Sequence, residues 1–225
     1  MNKVLVLGAG MVVRAHVRYL LDHDFRVTVA SLIESEAEDM IGGRPNGVAR
    51  RLDITTEPER LASMVAEHDA VVSLLPWQFH PQVARVCLDA GRHMVTSSYV
   101  KDEMRALDAE ARAKGIMLFN ELGVDPGLDH MTAMKVIHRI QAEGGTITTF
   151  QSYCGGLPAP EANDNPFGYK FSWSPRGVLL AGLNNARFKR RGDLVVVPEG
   201  EIFDHVKKVD VVVDGSVIEF EGYPN

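Results

Sequence analysis

Apolar positions along the first half of the chain are grouped in two ways. Short runs are apolar on both faces, and each is followed by a longer stretch whose apolar residues recur every three or four positions. The run Lys3-Val-Leu-Val-Leu-Gly8 predicts a buried strand. Val12, Val13, Val17, Leu20 and Leu21 then mark one helical face between Met11 and His23. Further strands are predicted over Phe25 to Ala30, Val48 to Ile54, Ala70 to Leu75, His93 to Thr96 and Ile116 to Phe119. A helix is predicted from Thr56, a capping residue followed by Pro58 and Glu59, to about His68. Two more run from Pro81 to Ala90 and from Lys101 to Lys114, with Gly91 and Gly115 as their stops. Strands apolar on both faces, each followed by a helix, predict a doubly wound α/β fold. Its parallel sheet is covered on both sides, and its ligand crevice lies at the carboxyl ends of the strands.

The pattern changes after Asn120. A helix is predicted from Leu128 to Glu143, then a β-rich strand from Thr146 to Cys154. An irregular loop rich in proline and glycine follows over residues 155–173, and Pro175 opens a short helix. Val209 to Val213 and Ser216 to Phe220 flank Asp214-Gly215, a two-residue hairpin signal. Residues 1–123 are therefore expected to form one domain, and 124–225 the N-terminal part of a mixed α/β domain.

Charge narrows the possible partners. Lys plus Arg is 24 and Asp plus Glu is 30, a net charge of −6, which argues against a broad basic face for nucleic acid or an anionic membrane. No run reaches the roughly 18 apolar residues of a membrane span. The eight histidines never fall three to five apart and there is no Cys-x-x-Cys, so no metal site is expected. Cys87 and Cys154 read as two reduced thiols, which points to the cytoplasm.

Gly8-Ala9-Gly10-Met11-Val12-Val13 follows the first strand and opens the first helix. Gly8 permits a tight turn, and Gly10 lets the backbone approach a pyrophosphate held at the helix N-terminus. This is the strand–G-x-G–helix context of a Rossmann dinucleotide site, although Val13 replaces the third glycine. A turn serving another ligand, such as S-adenosylmethionine, is the alternative. Ser31 stands where an NAD site would carry an acidic residue, so NADP is expected over NAD, with Arg44, Arg50 and Arg51 as unplaced partners for a 2′-phosphate. Met11, Val12, Asp53, Ile54, Leu75 and Val124, at the turn and at the strand ends, complete the candidate cofactor contacts.

Asp125 and Tyr99 follow the last two strands of the sheet, where a carboxylate and a hydroxyl can handle a proton. Ser97 and Ser98 offer hydroxyls at the same strand end. Asp129 reads as a residue of a helix's first turn, Ser174 as a helix cap, and His80 and His130 as structural.

Longer words carry a more specific signal. They are Ser73-Leu-Leu-Pro76, His93-Met-Val-Thr-Ser-Ser-Tyr-Val100, Asn120-Glu-Leu-Gly-Val-Asp-Pro-Gly-Leu-Asp-His130, Ser152-Tyr-Cys-Gly-Gly-Leu-Pro-Ala-Pro160 and Asn165-Pro-Phe-Gly-Tyr-Lys-Phe-Ser-Trp-Ser-Pro175. With them the chain resembles the glutamate-forming saccharopine dehydrogenases over essentially its whole length. The resemblance implies an NAD(P)-binding domain, a substrate domain and a homodimer. It also implies reversible reduction of the imine formed between L-glutamate and 2-aminoadipate 6-semialdehyde. It places Cys154 beside Asp125 and Tyr99 as a catalytic candidate. Ser98, Tyr99, Asp125, Phe171, Ser172 and Trp173 are its candidate substrate contacts. The family's substrate domain runs on past the segment matching Glu221 to Asn225, so a cofactor-binding module without turnover stays open. So does a related reductase joining an amine to another aldehyde, of the carboxy-polyamine type.

Overall fold

The computed structural model describes residues 2–224. The chain divides into two compact units, one ending at Cys154 and the other beginning at Gly155.

The first unit is built on six parallel strands: β1 (Lys3–Leu7), β2 (Arg26–Ser31), β3 (Gly47–Arg51), β4 (Ala70–Ser73), β5 (His93–Val95) and β6 (Leu118–Phe119). Their order in the sheet is β3-β2-β1-β4-β5-β6. The doubly wound sheet expected from the alternating pattern is present. β1 lies between β2 and β4, so the chain leaves it in both directions and opens a crevice beyond its carboxyl end.

Side chains of β1 show why the runs had to be apolar throughout. Leu5 and Leu7 enter one core with Val71, Met94, Leu61, Val65, Val83, Ala84 and Cys87. Val4 and Val6 enter the other with Val27, Val29, Val13, Val17 and Leu21. Helices α3 (Pro58–Ala66) and α4 (His80–Ala90) therefore cover one face, and α1 (Val13–Asp22) and α2 (Glu34–Ile41) the other. Each fully buried leucine or valine contributes about 1.5–3 kcal/mol relative to exposure, so the two cores are what hold the sheet.

Several local expectations change. α2 was not anticipated, yet it buries Ala37, Met40 and Ile41 at helical spacing and ends at Gly42 with φ +62°. Its first turn is acidic, which suits the helix dipole, but Ile33 at the N-cap offers no capping side chain. Thr56 does not cap α3. The N-cap is Glu57, because Asp53 Oδ1 accepts from the Thr55 amide and hydroxyl while Glu57 Oε2 accepts from the Asp53 amide. The single helix expected over 101–114 is two short ones, α5 (Asp102–Arg105) and α6 (Asp108–Ala113), with Ala106 and Leu107 in a turn between them. α7 (Leu128–Ala142) follows as expected. Thr146 to Cys154 is not a strand: it is rich in β-branched residues, but no described strand pairs with it, and propensity without a ladder does not make a strand.

In the second unit, α8 (Pro175–Ala181) is capped by Ser174, whose Oγ accepts from the Gly177 amide at 3.1 Å. Two antiparallel hairpins follow. β7 (Ala186–Arg190) pairs with β8 (Asp193–Val197), and β9 (Lys207–Val213) with β10 (Ser216–Gly222) across the expected Asp214-Gly215 turn. Ala186, Val197 and Ile202 form a small core of this unit.

Candidate active site

β1 runs directly into the turn before α1. Gly8 has φ +105° and donates to the Ala30 carbonyl at 2.9 Å; a Cβ there would lie 3.0 Å from the Leu74 carbonyl oxygen. Conformation and close packing both demand glycine. Gly10 is different, since no atom of the protein lies within 4 Å of a Cβ built on it. Nothing in the fold needs glycine at this position. Beside it the N-terminus of α1 has no side-chain cap and no acidic residue, and Met11 and Val12 are exposed. Open space, unfilled amide groups and the positive end of a helix dipole together suit a pyrophosphate.

The remaining cofactor candidates divide. Ser31 closes β2 half-buried, and its Oγ contacts Glu36 Oε2 and the Ile33 amide, each at 3.4 Å. The Asp53 carboxylate is already engaged by Thr55, whose hydroxyl and amide hold its pKa below the ordinary value. Ile54 is buried in the core and its carbonyl accepts from Gln82 Nε2 at 2.8 Å, so its side chain is not presented to a ligand. Leu75 packs partly buried against the same core, whereas Val124 is exposed.

At the carboxyl ends of β5 and β6 the chain gathers a second group. Tyr99 follows β5, Asp125 follows β6, and the Tyr99 hydroxyl donates to Asp125 Oδ1 at 3.1 Å. Cys154 reaches the same carboxylate from the end of this unit. Partial burial, then the Asp125 charge and a hydrogen bond to it, raise the Cys154 thiol above the ordinary cysteine value. Burial first and Asp125 second push Tyr99 up to about 12. Both groups therefore keep their protons at neutral pH, with Asp125 between them as the acceptor.

The segment carrying Asp125 is fixed tightly. The Gly123 amide donates to the Pro126 carbonyl at 2.9 Å. Gly127 has φ +150°, and a Cβ on it would come within 2.2 Å of the Gly123 carbonyl oxygen. Asp129 Oδ1 accepts from the Gly127 amide at 2.8 Å and faces His130 at the same distance. Burial alone would raise the Asp129 pKa, but these partners outweigh it and hold it low. Asp129 thus serves the start of α7, as its sequence position suggested.

A buried polar hub lies behind Tyr99. His80, 2% exposed, takes Ser73 Oγ on Nδ1 at 3.0 Å, and Ser98 Oγ and Thr96 Oγ1 on Nε2 at 2.8 and 3.1 Å. Burial lowers its pKa to about 4, so it is neutral. It ties the end of β4 to the segment 96–98 that leads into Tyr99, and it occupies the Ser98 hydroxyl that was a candidate for substrate. Ser97 packs against Gly123 instead. In the second unit Phe171 and Trp173 are a little under half exposed, and Phe171 stacks edge-on with Tyr169 at 5.5 Å. Ser172 lies near Gly156, within the same unit.

Comparison with known proteins identifies the family of the chain. Residues 4–119 match the saccharopine dehydrogenase NADP binding domain, and 123–225 match the saccharopine dehydrogenase C-terminal domain. The chain belongs to the saccharopine dehydrogenase family. It is 43% identical, over 224 residues, to the NADP⁺, L-glutamate-forming saccharopine dehydrogenase of Pyricularia oryzae, covering all of this chain and 49% of that protein. It is 42% identical over 226 residues to the mitochondrial alpha-aminoadipic semialdehyde synthase of Bos taurus, covering 24% of it. The apo structure of the L-Glu-forming saccharopine dehydrogenase from Saccharomyces cerevisiae superposes with a TM-score of 0.86 at 38% identity, covering all of this chain and 50% of that one. This family member thus spans about half the length of the saccharopine dehydrogenases it matches.

Proposed function

We propose that the chain carries the cofactor-binding and proton-handling part of an NADP-linked, glutamate-forming saccharopine dehydrogenase. The observation that supports this most is the contact of Tyr99 and Cys154 with one carboxylate, Asp125, at the carboxyl ends of a sheet whose first turn is strand–G-x-G–helix.

Gly8, Gly10, Met11 and Val12 would hold the pyrophosphate, and Ser31 would meet the adenosine ribose. When bound, the nicotinamide cofactor exchanges a hydride with the carbon of the substrate C–N bond. Oxidising a secondary amine to an imine also requires loss of the nitrogen proton. Asp125 is the acceptor in reach of that role, and in the reductive direction it returns the proton. Tyr99 and Cys154 stay protonated beside Asp125, and the Tyr99 hydroxyl donates to its Oδ1, which fixes the orientation of the carboxylate. Water then adds to the imine carbon, and the C–N bond breaks to give the aldehyde and L-glutamate. A cytoplasmic homodimer is part of the same reading. Its thiols fit a reducing compartment, since Cys87 and the exposed Cys154 are both free.

The second reading is a cofactor-binding module without turnover, since the strand–G-x-G–helix turn lies wholly within the six-stranded unit. Titrating the chain with NADPH while assaying saccharopine-dependent reduction of NADP⁺ separates the two. Binding with turnover supports the enzyme, and binding without turnover supports the module. Failure to bind either dinucleotide would overturn both.

A further inference from the structure

Ser31 and Arg51 are register partners at the carboxyl ends of β2 and β3. Partners in adjacent parallel strands leave the same face of the sheet with backbones about 4.8 Å apart. The five residues after Ser31 are Leu32, Ile33, Glu34, Ser35 and Glu36, none of them a cation. The cation at this corner comes instead from the neighbouring strand. Arg51 Nη1 donates to Glu57 Oε2 at 2.9 Å, with the arginine side chain 52% exposed. Glu57 is itself held, since the same oxygen accepts from the Asp53 amide at 2.8 Å and its other oxygen accepts from Arg60 Nη1 at 3.2 Å. One N–H of Arg51 is thus engaged by a fixed carboxylate, and four of its five donors remain. Arg50 leaves the opposite face by strand alternation and donates to the Ala49 carbonyl. An opposing charge is also present, because the Glu36 carboxylate lies 3.4 Å from the Ser31 hydroxyl.

We propose that Arg51 is the residue by which this chain distinguishes a 2′-phosphorylated dinucleotide from its 2′-hydroxyl counterpart, with Glu57 as a positioning residue and Glu36 as the opposing charge. A phosphate dianion pairs with a guanidinium through parallel charge-assisted hydrogen bonds, and a ribose hydroxyl does not. The assignment rests on the reading of the Gly8–Gly10 turn as the pyrophosphate site.

The test is binding, read by fluorescence titration of the chain with NADPH and NADH, and by calorimetry with adenosine 2′,5′-bisphosphate and AMP. Arg51→Gln should weaken NADPH and the bisphosphate about tenfold, equivalent to about 1.4 kcal/mol. NADH and AMP should hold their affinity. Glu36→Gln should tighten NADPH and leave NADH unchanged, while Arg50→Gln should alter neither. Because Arg51 is exposed, the variant should melt with the parent chain. An equal loss for both dinucleotides, no loss for NADPH, or a selective loss in Arg50→Gln instead would overturn the assignment. If NADPH binding is abolished by Gly10→Val but indifferent to Arg51→Gln, the turn stands and Arg51 falls. If the parent chain binds neither dinucleotide, both fall.

Discussion

The Tyr99 hydroxyl donates to Asp125 Oδ1 across 3.1 Å, although the two residues are 26 apart in sequence. β5 and β6 are adjacent parallel strands, so the segments leaving their carboxyl ends arrive side by side. Cys154 completes the group, and the pattern is two protonated donors around one acceptor.

That pattern makes the thiol a reporter. Part of the rise in the Cys154 pKa comes from the Asp125 charge, after the larger effect of burial. Asp125→Asn removes the charge, so the thiol pKa should fall and more thiolate should exist at pH 8. Alkylation by iodoacetamide should accelerate at least about twofold, since the thiolate is the reacting form. Cys87 is buried with its thiol pushed up to about 12, and it stays silent in the native protein. An unchanged rate would show that burial alone sets the Cys154 thiol.

The two glycines of the turn should separate cleanly. Gly8→Ala forces a side chain into φ +105° and toward the Leu74 carbonyl, and it should destabilise the fold by about 1–3 kcal/mol in urea titrations. Gly10→Val meets no protein atom within 4 Å, so its melting should stay near that of the parent chain. Its NADPH affinity should drop at least about tenfold in a fluorescence titration. Unaltered NADPH binding in Gly10→Val would remove the turn from the cofactor site.

How much of this was legible in the sequence differs by level. β1, β2 and β4 declare themselves because their central residues are mostly apolar on both faces. Thr146 to Cys154 is only rich in β-branched residues, and no described strand pairs with it; pairing is not a local property. α2 lacks a capping side chain at its start, but its acidic first turn, the spacing of Ala37, Met40 and Ile41 and the stop at Gly42 are all present in the sequence. In the site, Tyr99 and Asp125 could be named from their place at strand ends. The place of Cys154 came from a resemblance. Arg51 was only one of three unplaced arginines, since its meeting with Ser31 is decided by strand register. His80 was read as structural. The sequence pattern starts the helix one residue later, at Pro81, and the hydroxyl partners of His80 come from two other segments, Ser73 from one and Thr96 and Ser98 from the other.

His80 also sets a pH dependence. Burial lowers its pKa from 6.5 to about 4, so below pH 6.5 the unfolded chain takes up a proton that the folded chain refuses. The unfolded state then binds more protons, and stability must fall as pH drops from about 6.5 towards 4. The full effect of this one group is roughly 3 kcal/mol. Urea titrations at pH 7 and pH 5 should show the loss in the parent chain. His80→Gln should be less stable at pH 7 but should lose less on acidification. Equal slopes for the two proteins would assign the acid sensitivity elsewhere, for example to His16, which burial also shifts downward.

The chemical role of Asp125 is tested by removing it where turnover can be measured, in a protein that contains this chain and has the full length of its relatives. The nitrogen must lose its proton as the C–N bond is oxidised, and general acid–base help of this kind is worth about 10²–10⁴ in rate. Asp125→Ala should therefore lower kcat for saccharopine oxidation by that range. NADP⁺ affinity should be retained, because the Gly8–Gly10 turn is built at the other strands of the crevice. Asp125→Asn keeps shape and hydrogen bonding but not basicity, so it should behave like Asp125→Ala in kcat while disturbing substrate affinity less. Tyr99→Phe leaves the carboxylate in place, and its loss should be the smaller one, confined to the positioning of Asp125. A deficit that appears only in KM for saccharopine would make Asp125 a substrate-binding group, since a group acting only in the transition state lowers kcat and kcat/KM together. If Tyr99→Phe is the more damaging change, the proton is handled by the hydroxyl and the carboxylate is its positioning partner.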